Sequence, residues 1–473
     1  MWDFISGCLT KNRDSMLFDG KNSVTYAELL LEAEKNGETL KKLVPSKAKC
    51  AILCEKGLNA AVAILSCWCA GLVVVPMSKN YGERHCESIV ALTDPDVVIH
   101  DKNEPFEITN RKCVSKPEEI LCDVAAIMCT SGTTGTPKGA MITEQGLTKN
   151  IENIAAYFDI QKGDTIMIAR PLYHCAVLTG EFLVSLYRGL DVGFFDGAYD
   201  PVSLIKFMGE HNVTVFCGTP TLLSHIAVCM KRSISLHPLK GEGYRRSGGG
   251  VPTIAVSGEC LSKKAAANIR SAFADARIYS VYGLTEAAPR VSWLPPEHFD
   301  AYPESVGVPL NDTYVRITDI DSDGNGKIQV KSPSVMKGYY NDAAATKRAL
   351  VDGWLDTGDI GHMDGNGFLY IASRADDMII KAGMNIYPKE IENAIEGLDC
   401  IESSIAYGVR GDDGEIVAVD VVLRSTSRGI GKKELMKMFA GVLPPYQMPS
   451  VVNIVGEHRK NASGKIIRGR EQS

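Results

Sequence analysis

The chain is short of the features that mark several functional classes. Its 14 cysteines form no C-x-x-C pair and accompany no histidine cluster, which argues against a zinc site and against a disulfide framework. Lys plus Arg number 51 against 57 Asp plus Glu, and a net charge of -6 offers no basic excess to a nucleic acid. The absence of a repeating period excludes a solenoid. Asp3 and Asn12 interrupt any apolar leader, so a reducing cytoplasm is the expected compartment. One run, Ala60 to Met77, approaches the length of a membrane span. Gly71 is placed to stop a helix, Leu72 to Val75 to form a short buried strand and Pro76 to end it, so a core helix, turn and strand are predicted and no membrane span.

What is present is the material of a large α/β protein. At 473 residues the chain exceeds a single hydrophobic core. Helical stretches alternate with short β-branched runs at Ala51 to Leu53, Val97 to Ile99, Thr165 to Ile168, Val213 to Phe216, Thr253 to Val256 and Arg277 to Tyr279. That alternation predicts parallel-sheet α/β subdomains. From about Tyr302 the texture turns β-rich, with Gly326 to Val330, Ser332 to Tyr339 and a hairpin signal at Asp364-Gly-Asn-Gly before Phe368 to Ile371. Beyond Arg374 about 100 residues remain, with helices expected near Pro388 and Lys432, enough for a small domain. The expected fold is therefore a large N-terminal domain, 1–374, of parallel-sheet α/β subdomains plus a β-rich subdomain at about 302–374, and a small α+β C-terminal domain, 375–473. Gly241 to Gly250 reads as a surface loop.

The sharpest chemical signal is Thr130-Ser131-Gly132-Thr133-Thr134-Gly135-Thr136-Pro137-Lys138-Gly139, behind the apolar run Ala125 to Cys129. A strand feeding a loop of glycines and hydroxyls offers N–H and O–H donors to phosphate oxygens, with Lys138 adding positive charge. The Walker pattern G-x-x-x-x-G-K-[ST] is absent: Gly135 is three residues before Lys138, and Gly139 stands where a magnesium-binding Ser or Thr belongs. Phosphoryl transfer through a Walker fold is therefore disfavoured.

The loop, together with Tyr282-Gly283-Leu284-Thr285-Glu286, Gly353-Trp354-Leu355-Asp356-Thr357-Gly358-Asp359, Ser373-Arg374-Ala375-Asp376-Asp377 and Ser463-Gly464-Lys465, resembles the adenylate-forming superfamily of acyl-CoA synthetases, luciferases and peptide-synthetase adenylation domains. The resemblance spans most of the chain. It implies that ATP and Mg²⁺ are used to activate a small carboxylic acid as an acyl-adenylate, which then passes to the thiol of coenzyme A or of the phosphopantetheine of an acyl or peptidyl carrier protein. By the same resemblance, Thr130, Ser131, Gly132, Thr133, Thr134 and Lys138 hold the phosphates. Tyr282 and Gly283 lie against adenine, and Ser257, Gly258 and Glu259 cover its other side. Thr285 donates to the α-phosphate, Glu286 holds the metal, Asp359 and Arg374 bind the ribose, and Lys465 neutralises the attacking carboxylate and the α-phosphate. Asp376 matches the family's hinge, so that the C-terminal domain is expected to be mobile, and Lys381 and Gly383 line the channel for the thiol arm.

The acid pocket is expected around Tyr173, His174, Gly218, Thr219, Ser280, Gly283 and Ala287, with His174 counted among the catalytic residues. Peptide-synthetase domains place an aspartate near the position of His174; its absence favours an acid without a free α-amine. Gly258-Glu259 resembles the amino-acid-activating branch instead, which leaves an amino-acid or β-amino-acid adenylation enzyme as the alternative. Glu181 reads as a solvated helix charge, with pairing to a distant substrate amine as its other reading. A luciferase-like oxidative step and a non-catalytic nucleotide-binding protein are the remote alternatives. The loop residues, Glu286, Asp359 and Lys465 carry no lesion of the kind a non-catalytic protein would show.

Overall fold

In the computed structural model, residues 1–78, 83–101, 107–110, 118–130, 137–197, 200–232, 252–381, 384–411, 414–427, 429–459 and 468–469 are described. They form two compact units, one of Met1–Leu261, Ala265–Val315 and Gln329–Thr357, the other of Ser262–Lys264, Arg316–Ile328 and Gly358–Ser473. The expected boundary after Arg374 lies inside the second unit, as does the residue expected as hinge, Asp376.

Parallel strands buried on both faces should read as continuous apolar runs, and those of the first unit do. One sheet is six-stranded, in the spatial order Glu107–Asn110, Val97–His100, Lys49–Leu53, Val73–Pro76, Val124–Thr130, Lys138–Thr143. Its Lys49–Leu53 and Val73–Pro76 strands are joined by the helix Gly57–Cys69, which ends as predicted: Gly71 adopts φ +73°, and an added Cβ there would meet Ser46 Oγ at 2.7 Å. Among the described residues no helix is long and apolar enough to cross a membrane.

The other sheet carries six consecutive strands in parallel, ordered Arg277–Gly283, Thr253–Val256, Val215–Gly218, Thr165–Ile168, Asp191–Phe194, Met16–Phe18. From Thr165 onward, chain order runs outward in both directions from Thr165–Ile168. The order therefore reverses between Thr165–Ile168 and Val215–Gly218, leaving a crevice beyond their carboxyl ends where no crossover passes overhead.

Ser332 to Tyr339, expected as strand, is instead a sequence of turns with one isolated bridge, Ala140 to Tyr339. Pro333 lacks an N–H for a ladder and Gly338 sits at φ +151°, so the segment cannot run on as a regular strand. It is held against Lys138–Thr143 by Met141 N–H to Gly338 O at 2.9 Å, Lys337 N–H to Met141 O at 2.9 Å and Tyr340 N–H to Gly139 O at 2.7 Å.

Trp354–Met363 and Leu369–Arg374 form the predicted hairpin, which lies in the second unit from Gly358 on, its turn tied by Asp364 Oδ1 accepting from Asn366 N and Phe368 N. A three-stranded sheet, Ile401–Gly411, Gly414–Leu423 and Val451–Val455, packs with the helices Pro388–Glu396 and Lys432–Phe439. Ile391, Ile395, Val417, Val419, Leu435 and Phe439 are fully buried in its core. Ile395→Ala should cost about 2–5 kcal/mol, the range for truncating a buried aliphatic side chain. Calorimetric unfolding should show the loss as a lowered transition for this unit.

Candidate active site

The crevice at the strand-order reversal is lined by the segments that leave the carboxyl ends of the parallel strands. After Thr165–Ile168 the chain turns through Arg170 to His174, then enters a short helix, Cys175–Val177, and one wide π-helical turn, Leu178–Leu183. Such turns frequently occur at functional sites. Glu181 on this turn is not the expected solvated charge: it is 1% exposed and accepts from Arg170 Nη2 at 2.6 Å, with Arg170 itself 15% exposed. A carboxylate this deep persists only with a cation beside it. Burial pushes the Glu181 carboxyl up, and the charge and hydrogen bond of Arg170 pull it back. Arg170 Nη2 also reaches Ser257 Oγ at 3.4 Å, tying the ends of two parallel strands together.

His174 packs its ring against Tyr173, centroids 4.3 Å apart. Desolvation, reinforced by the charge of Arg170, pushes its pKa down to about 3, so the imidazole is neutral at every physiological pH. Gly218 is buried at the end of its strand, and the Thr219 hydroxyl accepts from Leu222 N at 3.2 Å, capping the helix Pro220–Arg232. Glu259 faces the same helix end, accepting from Thr221 Oγ1 at 2.6 Å. Ser257 is buried, while Gly258 is exposed with φ +93°.

Strand Arg277–Gly283 delivers Ser280, buried, and Tyr282, half-buried, with a register shift between Tyr282 and Gly283 against the strand Arg290–Leu294. Bulges of this kind re-aim side chains next to binding sites. A Cβ on Gly283 would fall 2.1 Å from Pro289 O, so glycine alone fits. Thr285, Glu286 and Ala287 then form a single 3-10 turn, in which Ala287 is buried.

Glu286 Oε1 accepts from the Tyr339 hydroxyl at 2.9 Å, and Lys138 Nζ lies 5.3 Å from the centroid of the same ring. Lys138 is the partner of Thr130 across the base of the glycine–hydroxyl loop. Tyr339 thus joins the loop's lysine to the expected metal carboxylate, a role that sequence reasoning missed. The second Glu286 oxygen and the Thr285 hydroxyl have no protein partner among the described residues. One hard carboxylate oxygen at a phosphate loop fits Mg²⁺, which takes few protein ligands and completes its shell with phosphate and water. Ser131, Gly132, Thr133 and Thr134 lie outside the described residues.

In the second unit Asp359, 4% exposed, and Arg374 stand opposite each other across the hairpin and pair at 2.9 Å. Asp376 is exposed on the 3-10 turn Ala375–Asp377. Lys381 Nζ donates to Tyr446 O at 3.1 Å and Met448 O at 3.2 Å. Gly383 and Lys465 lie outside the described residues. The chain on either side of 460–467 is anchored, His458 Nε2 to Ser403 Oγ at 2.9 Å and Arg468 to Glu392.

A sheet whose strand order reverses at one pair of strand ends, with Lys138 and Glu286 linked through Tyr339, fits the adenylate-forming ligases among other nucleotide-binding classes. Sequence comparison narrows the class. The AMP-binding enzyme family matches residues 9–340, and the chain belongs to that family. It is similar to feruloyl-CoA synthase of an Amycolatopsis species, 30% identical over 95% of this chain and 94% of the relative. It is equally similar to 2-succinylbenzoate–CoA ligase of Bacillus licheniformis, 30% identical over 97% of this chain and 96% of the relative. The fold is shared with o-succinylbenzoate CoA synthetase of Bacillus subtilis in complex with its acyl-adenylate, TM-score 0.82 at 24% identity, covering 100% of this chain and 98% of that one.

The geometry of the site makes two outcomes measurable. Tyr339→Phe removes a hydrogen bond to a charged group, worth about 1.5–3 kcal/mol, and should lower ATP–pyrophosphate exchange at least ~10-fold while raising the Mg²⁺ concentration needed. An unfolded histidine takes its proton near 6.5, while folded His174 stays neutral down to about 3. The unfolded state therefore binds the extra proton, and stability drains away as pH falls through that window. His174→Asn should lose less stability than the parent between about pH 7 and about pH 4.5, read from urea midpoints.

Proposed function

We propose that the chain is an ATP-dependent acid–thiol ligase that activates a small carboxylic acid as acyl-AMP, releases pyrophosphate and passes the acyl group to coenzyme A. The observation that carries this reading is the Lys138–Tyr339–Glu286 connection, which couples a phosphate-type loop to a carboxylate in one unit. The names of the relatives matched over nearly the whole chain, both coenzyme A ligases, support the acceptor.

The residues divide the work by charge. Backbone and hydroxyl groups of residues 130–134, with Lys138, receive the phosphates, and Tyr282 and Gly283 face the adenine across from residues 257–259. Glu286 would hold Mg²⁺, which when bound would neutralise phosphate charge. The acid enters the crevice past Tyr173 and neutral His174, which offers hydrogen bonding without adding charge. Its carboxylate oxygen bonds to the α-phosphorus as the bond to pyrophosphate breaks. Lys465 balances the charge that gathers there. In the second step the thiol sulfur bonds to the acyl carbon, its proton passes to solvent, and AMP leaves with the electron pair of the broken C–O bond. For the second unit the reading assigns Asp359 and Arg374 to the ribose hydroxyls, Asp376 to the pivot between the steps, and Lys381 with Gly383 to the thiol's passage.

The decisive experiment is pyrophosphate exchange over a panel of aryl, fatty, β-amino and α-amino acids, with nucleotide products resolved. AMP is expected; release of ADP would overturn the reading, and exchange with α-amino acids alone would transfer it to the peptide-synthetase branch. Mass analysis after adding coenzyme A or carrier proteins identifies the acceptor. Lys465→Ala should lower exchange about 100- to 1,000-fold, the size of effect seen when one transition-state charge partner is lost.

A further inference from the structure

Lys138 opens the strand Lys138–Thr143, and the helix Glu144–Tyr157 follows it without a loop, its start capped by Thr143 Oγ1, which accepts from Gly146 N at 3.0 Å. Gly146, Asn150 and Asn153 are spaced i, i+4 and i+7, so they share one face of that helix, and all three are buried. A Cβ on Gly146 would stand 3.0 Å from Pro333 O, which sets the helix start directly against the segment that carries Tyr339. One turn on, the Asn150 side chain, 1% exposed, pairs with residue 290 much as a neighbouring strand would. Its Oδ1 accepts from Arg290 N at 3.1 Å and its Nδ2 donates to Arg290 O at 2.9 Å, with a longer contact to Ala287 O at 3.4 Å. Asn153 Nδ2 donates elsewhere, to Asn311 O at 2.7 Å.

The two carbonyls that Asn150 reaches belong to the end of the turn Thr285–Ala287 and to the residue that begins the next strand. Within that stretch Ala287 N donates to Leu284 O and Leu284 N to Pro289 O, both at 2.9 Å, and from outside it Met336 N donates to Glu286 O at 2.8 Å. Among the described residues no side chain other than Asn150 bonds the backbone of 284–290. A single turn is too short to hold its shape unaided. A buried amide bonded at both ends is costly to disturb, because each group left without a partner costs about 1–3 kcal/mol. One helix therefore relates Lys138, at the head of the strand before it, to the backbone of Glu286, while the Tyr339 hydroxyl holds Glu286 Oε1.

Resting on the ligase reading above, which gives Mg²⁺ to Glu286, we propose that Asn150 is a positioning residue: by bonding Arg290 and Ala287 it fixes the Glu286 turn relative to Lys138 and thereby sets the affinity for the metal–nucleotide pair. Asn150 itself touches neither acid nor nucleotide in this scheme; it acts through Glu286.

The test follows Mg²⁺ rather than turnover alone. Calorimetric titration of a non-hydrolysable ATP analogue into the protein at stepped Mg²⁺ concentrations needs no acid and no chemistry. Asn150→Ala is expected to weaken Mg²⁺-dependent nucleotide binding about 10- to 100-fold, the scale for losing a group that orients a metal ligand. In pyrophosphate exchange the half-saturating Mg²⁺ should rise to match, with the KM for the acid unchanged. Asn153→Ala, which removes a bond from the same helix face but not from the turn, should lower the urea midpoint and leave the Mg²⁺ dependence as in the parent. Asn150→Ser, the gentler change, covers the case in which the alanine variant does not fold, and should shift the Mg²⁺ dependence in the same direction. A folded Asn150 variant with the parent's Mg²⁺ dependence, or an equal shift for Asn153→Ala, would make Asn150 a strut for the helix alone and overturn the proposal. If no acid supports exchange in the parent, the ligase reading falls and the titration still decides on Asn150: a shift confined to its variants sustains the positioning role, and no shift overturns it.

Discussion

Parallel strands end where no hairpin can close them, and the sheet of the first unit is built so that two such ends stay open side by side. Thr165–Ile168 begins a run that moves outward both ways, and every candidate residue of the acid pocket hangs from a strand end or from the turn after it. A backbone exposed in this way has donors, acceptors and space, but nothing to hold the loops in place. The Arg170–Glu181 ion pair supplies that hold: its carboxylate comes from the π-helical turn, its guanidinium from the first strand end, and its second contact from Ser257 on another. Because the pair is dehydrated, loss of either partner strands a charge, which makes the geometry around it close to all-or-none.

The fold was largely legible because its signals were local. Periodicity and punctuation sufficed for Gly57–Cys69 with its Gly71 stop, for Thr165–Ile168 and Thr253–Val256, and for the hairpin turning at Asp364. Ser332 to Tyr339 was misread because its apolar alternation imitates a strand, while the contacts that decide its shape come from Lys138–Thr143, almost 200 positions earlier. Motif spacing exposed Glu286 and Lys138 but not Tyr339, whose meaning depends on a tertiary contact no local pattern encodes. Glu181 was hidden for a related reason. A charged residue in an apolar segment reads as solvated until its partner is known.

Electrostatically the two groups of charges in the first unit differ in kind. Lys138 and Glu286 meet at one phenol, with the second Glu286 oxygen unpartnered among the described residues. Around Arg170 and Glu181 burial makes every charge count singly. The enforced neutrality of His174 keeps it from adding another positive charge beside Arg170.

The wide turn at Leu178–Leu183 has a consequence for how this chain could diverge. It contains one residue more than an ordinary helical winding would need, and removing that residue would let the segment relax into a regular helix. Every side chain beyond the deletion would then rotate by roughly a quarter turn or more about the axis. Loss of a single codon could thus displace Gly180 and Glu181 together, undoing the Arg170 ion pair while leaving Lys138, Tyr339 and Glu286 as they were.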